Sequence, residues 1–376
     1  MQKRTLWLTI GLLMAVAVTP VLAQGTFTPL GVANTYVTSM SADGSVVVGV
    51  WGNEGPAWRW TAGTGVVDIG SISQTVSVSR DGRTVVGTAK DSQGIGYAAV
   101  WQSGQQWVTL PPPPNSLPQD GKATVGYGVS ADGSVIVGLS YLNAEDPQTR
   151  AKTRSAQAFR YDARTGTVPL GTLTGGTTRA SVVSGDGHVI AGWDDLKGKG
   201  SGNGPWFGAI WWDGMERLMN PFNNVGQVEG VNDSGSVLVG RGHPMAFTHA
   251  YRYTSWDGAV VDLGAVKRGG DQGGIGIGGG PSDPTFEDTS IALAVSDDSA
   301  VVVGTSGYQP PTDAFIWTPD TKILKLSDYL TSKGVTGHER WTLVTAVAIS
   351  PDGKIIAGTG INNVAQRIEG FVAKLQ

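Results

Sequence analysis

Few side chains in this sequence can do chemistry, and their spacing ties none of them together. There are four histidines, His188, His243, His249 and His338, and no cysteine. A chain without cysteine has no disulfide, no thiolate metal site and no thiol nucleophile. His188 follows a turn glycine and His249 flanks a strand, which leaves His243 and His338 in the long connecting segments. Acids share those segments: Glu54, Glu145, Asp146, Asp194, Asp195, Glu287, Asp288 and Glu339. Two carboxyl groups held about 5–10 Å apart would supply acid and base for glycoside hydrolysis or uronate elimination. No spacing selects such a pair, and neither a Gly-x-Ser-x-Gly elbow nor a His-Glu-x-x-His helix is present. Seven turn aspartates (Asp43, Asp81, Asp132, Asp186, Asp233, Asp298 and Asp352) suggest calcium. A calcium site needs several oxygens converging from one loop, however, and one aspartate per turn is ordinary turn chemistry. The sequence therefore predicts no catalytic residue, no metal and no cofactor.

What would position a site is a repeat. Ser130-Ala-Asp-Gly-Ser-Val-Ile-Val-Gly138 reads as a strand end, a tight turn and a second strand closed by glycine. It recurs at 41–49, 79–87, 184–192, 232–240, 296–304 and 350–358, about every 50 residues, a period that marks a propeller, solenoid or array. Before each turn lies a strand with a small side chain two places before its end: Ser39, Ser77, Gly128, Gly230, Ala294 and Ala348, with Val182 the exception. A strand this slim fits a crowded axis, so it is read as innermost. The second strand is β-branched and apolar throughout, as in Val135-Ile-Val137, and reads as covered on both faces. The third carries an aromatic column, from Ala57-Trp-Arg-Trp60 through Ala158-Phe-Arg-Tyr161 and Ala209-Ile-Trp-Trp212 to Ala314-Phe-Ile-Trp317, suited to packing between sheets. The fourth tolerates proline at Pro169, which places it at a sheet edge.

The ends complete the pattern. The seventh repeat stops after its third strand, and Phe27-Thr-Pro-Leu-Gly31 is a spare fourth strand at the start. The expectation is an all-β fold: a seven-bladed β-propeller of four-stranded antiparallel blades. Strand 26–31 completes the blade formed by 344–376 and closes the ring without a disulfide. Long insertions fall in the second-to-third connections and in the links to the next blade, which share one rim. Insertions gathered on one rim suggest a binding face. The candidate binding residues there are Glu54, Asp146, Trp206, His243, Asp288, His338 and Glu339. A short helix is expected over 327–333, with Ser327 as its cap and Gly334 as its stop.

Residues 1–23 read as a signal peptide: Lys3 and Arg4, an apolar run over 5–18, then Val21-Leu-Ala23. The remainder, 24–376, reads as the propeller, secreted, periplasmic or at the cell surface, monomeric, with no membrane span after cleavage. The net charge is −4 and there is no basic stripe, which argues against nucleic acid.

The alternation of Ser-x-Asp-Gly-x-Val-Val-Val-Gly with Ala-Phe/Tyr-x-Trp/Tyr and Val-Val-Asp-Leu-Gly resembles the bacterial extracellular HAF-type repeat proteins. His249-Ala-Tyr251 matches the tripeptide that names them; Asp313-Ala-Phe315 and Gln157-Ala-Phe159 are looser, and the stretch from Leu326 to Gly358 is also similar. The resemblance spans nearly all of 24–376. It implies export and a propeller-like repeat, and brings no activity and no catalytic residues. The expected function is a non-catalytic exported scaffold that binds a protein or polysaccharide through its long-loop rim. The alternative is a carbohydrate-active enzyme, a glycoside hydrolase or polysaccharide lyase. An enzyme should gather rim carboxylates and a histidine within about 10 Å at the channel mouth, whereas a scaffold mouth should be small-residue or apolar.

Overall fold

The computed structural model describes residues 25–52, 55–70, 75–102, 104, 106–145, 152–196, 206–212, 215–218, 225–242, 249–254, 258–266, 289–307 and 313–376. The expected signal peptide lies outside them. Among the described residues there are seven four-stranded antiparallel sheets. In chain order the blades span 35–68, 77–109, 124–169, 175–218, 225–264, 290–325 and 341–374. The seventh blade takes its outer strand from Thr26–Ala33, which pairs with Arg367–Lys374 in the register Phe27↔Ala373 and Thr28↔Val372.

That these sheets form a ring is visible in the core. Seven apolar clusters lie one at each junction between neighbouring blades. The cluster joining the seventh blade to the first holds Leu30, Val37, Trp58, Ala357 and Val372. A line of sheets would leave one junction empty, so the ring is closed and a solenoid is excluded. Glu369 reinforces the closure. It is fully buried, accepts the Gly31 N–H at 2.5 Å and the Arg367 Nε–H at 3.0 Å, and so ties the first described strand to the last.

The Ser-x-Asp-Gly turn builds itself. The Ser130 hydroxyl donates to Asp132 Oδ1 (2.7 Å), which also accepts the Ser134 N–H, while Ser130 Oγ accepts the buried Val135 N–H at 2.9 Å. Gly133 sits at φ +77°, in the left-handed region that suits glycine. The carboxylate is thus spent on its own turn. The closing glycine has a separate reason. In five of the blades its third-strand partner is Trp58, Phe159, Tyr251, Phe315 or Phe371, and the side chain lies against it. A Cβ on Gly138 would meet the Phe159 ring at 2.7 Å.

Two details differ from the sequence reading. In the fourth blade Gly192 pairs with Ala209, so the third strand is displaced by one place and the buried aromatic is Trp211, not Trp212. The short helix is Leu326–Ser332, one residue earlier than expected; Ser327 lies inside its first turn and no side chain caps it. Gly334, at φ +69°, does end it.

Candidate ligand-binding mouth of the central channel

The inner strands surround a channel of about 420 Å³ to which all seven blades contribute. Its two ends differ. At the narrow end the Asp-Gly turns converge; the residue after the serine or asparagine lines the channel in five of them, as Ala42, Arg80, Ala131, Gly185 and Asp233, and is Asp297 and Pro351 in the other two. Backbone N–H groups link these turns around the axis: Ala42 to the Arg80 carbonyl, Arg80 to Ala131, Ala131 to Gly185, Asp186 to Asp233 and Asp297 to Pro351. The Asp233 N–H bonds Asp297 Oδ1 at 3.1 Å instead of a carbonyl. The belt ends at Pro351, which has no N–H to give.

Arg80 belongs to the second blade, and its guanidinium bridges Asp233 of the fifth and Asp297 of the sixth, the latter at 2.9 Å. In a seven-membered ring those blades lie opposite the second, so Arg80 crosses the axis and floors the channel. This corrects the sequence reading of Asp233 as a turn aspartate. Ser234 takes the turn position in the fifth repeat, and Asn232 Oδ1 does the work of the usual serine at 3.0 Å. Gly185 leaves the room that the Asp233 carboxylate fills. Burial and a hydrogen bond with Asp297 raise the Asp233 pKa to about 6, against the pull of Arg80.

The opposite end is shaped by bulges. Six of the seven inner strands shift register one step before the position that is small in every one of the six but the fourth blade, where it is Val182. A bulge re-aims one side chain out of the ladder. Here the re-aimed residues are Thr38, Tyr127, Ser181, Glu229, Leu293 and Val347, and every one lines the channel. The small residue that follows lets neighbouring inner strands approach: a Cβ on Gly230 would lie 2.6 Å from the Leu293 carbonyl oxygen.

Toward this wide mouth, the third to fifth blades carry a continuous wall of aromatic rings and guanidinium groups. Arg179 lies between the Tyr127 ring (5.1 Å) and the Trp193 ring (5.5 Å). Trp193 stacks on Trp206 at 5.3 Å and 27°, and Arg241 stands 6.0 Å over Trp206 while bonding Gln227 Oε1 at 2.8 Å. Arg179 also donates to Ser181 Oγ at 3.2 Å. Glu229 faces both arginines. Burial raises its pKa; Arg179, Arg241 and Gln227 pull the other way without cancelling it. The wall sets Arg179 and Arg241 beside Glu229, with Asp195 across the ladder from Trp206, and its rings and hydrogen-bond donors can hold a ligand with apolar faces and anionic edges.

Of the candidate residues read from sequence, Trp206 is part of this wall. Glu54, Asp146, His243 and Asp288 lie outside the described residues. His338 is a correction: it is 3% exposed, held beneath the short helix by Ser327 O and Thr331 Oγ1, each at 3.1 Å from its Nε2, and set against Phe27 of the outermost strand. An imidazole enclosed in that way offers no binding surface. Glu339 is exposed, and its carboxylate accepts the Gly337 N–H at 2.8 Å. Asp194, one of the rim acids, is buried and holds its own loop by accepting from Thr172 Oγ1 and the Leu173 N–H, each at 3.0 Å. Sequence reasoning missed Tyr127, Arg179, Trp193, Glu229 and Arg241. For Tyr127 and Glu229 the signal was a large or polar residue immediately before the slim position of an inner strand; Arg179, Trp193 and Arg241 carried none.

No protein-family model and no curated protein matches the chain. Solved structures do. An oligogalacturonate lyase in complex with manganese superposes with a TM-score of 0.54 at 12% identity, covering 93% of each chain. A puromycin-hydrolysing peptidase of Mycobacterium tuberculosis gives 0.52 at 13% identity, over 93% of this chain and 56% of that one. An acylaminoacyl peptidase of Pyrococcus horikoshii gives 0.50 at 10%, over 87% and 49%. This chain thus spans about half the length of the two peptidases. At such identities the likeness is one of fold.

Proposed function

We propose that this chain is an exported, monomeric binding protein that holds a polysaccharide at the wide mouth of its channel and does no chemistry on it. The observation that carries the reading is the wall of Tyr127, Arg179, Trp193, Trp206 and Arg241, five side chains from three blades in one unbroken stack. Rigid aromatic and arginine anchors are the side chains that dominate binding energy at interfaces. Export is supported by the basic and then apolar start of the sequence and by its resemblance to HAF-type extracellular repeats. Among the described residues no helix is long and apolar enough to cross a membrane.

An enzyme is the second reading, and Glu229 is what favours it. A carboxyl group with a raised pKa beside two arginines is suited to proton transfer. One structural neighbour is a lyase of acidic sugars. Against this, no histidine among the described residues lines the channel, and its second carboxylate, Asp233, lies at the far end, engaged by Arg80. The test is an array of neutral, basic and acidic glycans together with analysis of soluble products. The expected result is binding without release, weakened tenfold or more by Trp206→Ala. Release of reducing or unsaturated ends that disappears in Glu229→Gln would replace the scaffold with the enzyme. Absence of any glycan binding would overturn both.

A further inference from the structure

The wide mouth opens into a space with a floor. Arg80, Asp233 and Asp297 meet across the axis at the far end, and the belt of backbone hydrogen bonds surrounds them. What lies above is therefore a blind well and not a through-pore. Its volume, about 420 Å³, is at the lower end of the range for small-molecule pockets and gives room for about two sugar rings. A polymer can enter such a well only by its end.

The wall selects among chain ends. On one side stand the apolar Leu293 and Val347, and on the other Thr38, Tyr127, Ser181 and Glu229. Above them stand two guanidinium groups, Arg179 and Arg241, with Glu229 beside both and Asp195 opposite Trp206. A peptide would bind most directly by adding a strand to an exposed sheet edge. Here the bulges interrupt six of the seven inner edges, so that mode is blocked. A saccharide needs no ladder. It needs flat faces, hydroxyl partners and, when it is acidic, a guanidinium.

We infer, resting on the proposed binding role of this mouth, that the ligand is the terminal one or two residues of an acidic sugar chain. Its rings lie along the channel-facing side of the Tyr127–Arg179–Trp193 stack, its hydroxyls meet Ser181, Thr38 and Glu229, and its carboxylate meets Arg179. Chain ends bind and chain interiors do not.

Calorimetry on residues 24–376 tests this with four probes: digalacturonate, hexagalacturonate, neutral cellotriose and a short peptide with a free C-terminus. The inference expects digalacturonate to bind, hexagalacturonate to bind within about threefold of it, and cellotriose to bind at least tenfold more weakly. Arg179→Ala should cost the acidic probes tenfold or more, the usual worth of a charge-assisted hydrogen bond, and should leave cellotriose nearly unchanged. Arg241→Ala serves as a second variant should Arg179→Ala fail to fold. Hexagalacturonate binding more than tenfold tighter than the dimer would overturn the end-on mode. Equal affinity for acidic and neutral sugars, or preference for the peptide, would overturn the ligand class. Should a neutral glycan bind and be lost in Trp206→Ala, the class falls while the mouth stands. Should neither Arg179→Ala nor Trp206→Ala affect any ligand, both fall.

Discussion

Two single residues show how local chemistry shapes the channel. Asp233 is held near pKa 6 by burial and by Asp297, although Arg80 lies against it. A folded value above the unfolded one, about 3.9, means that the protonated form favours folding. The contribution is complete below about pH 4 and is lost as pH rises through about 6. The melting temperature of the wild type should therefore fall relative to that of Asp233→Asn between pH 4 and 6.5, and the difference should then stay level. Thermal melts at half-unit pH steps measure it, and a flat difference would show that Asp233 titrates normally. At Gly138 the constraint is steric. An added methyl would press on Phe159 and on the Val125 carbonyl, so Gly138→Ala should cost about 2–3 kcal/mol in denaturant melts. That glycine was legible as a repeat mark; its reason was not, because the ring that covers it comes from a strand 21 residues on.

At the scale of the element, the turn and the bulge divide the work. The turn was readable because all its bonds are local: serine, aspartate and glycine lie within a few residues and satisfy one another. Ser130→Ala should leave the Val135 N–H buried without an acceptor and cost about 1–3 kcal/mol. Ser134→Ala, on the exposed side of the same turn, should cost under about 0.5 kcal/mol. Comparable losses from the two would deny the serine its role. The bulge was not readable, since one extra residue in an inner strand leaves no mark in its apolar alternation. Reading Asp233 as a turn residue failed for a related reason: Asn232 replaced the serine, and the register moved by one. The same one-place slip hid Trp211 in the fourth blade.

At the scale of the molecule the fold was legible almost completely, because the missing fourth strand of the last repeat and the spare strand at the start are both visible in the sequence. The site was legible only in Trp206. Its other members come from separate blades and meet only once the ring has closed, which no spacing in one chain announces. Closure itself should be worth much of the stability. Removing residues 25–33 exposes the buried Glu369 and the cores around Leu30 and Phe27, a loss of about 5 kcal/mol. The melting midpoint should drop by roughly 5 °C or more, and an unchanged midpoint would contradict the pairing. The most direct test of the whole account compares both ends of the ring in one binding assay with a captured glycan. Arg179→Ala with Arg241→Ala alters the wide mouth, and Arg83→Ala with Lys354→Ala alters exposed positions on the Asp-Gly turns. The account predicts a loss of a hundredfold or more in the first double variant and no change in the second; equal losses, or a loss confined to the second, would contradict it.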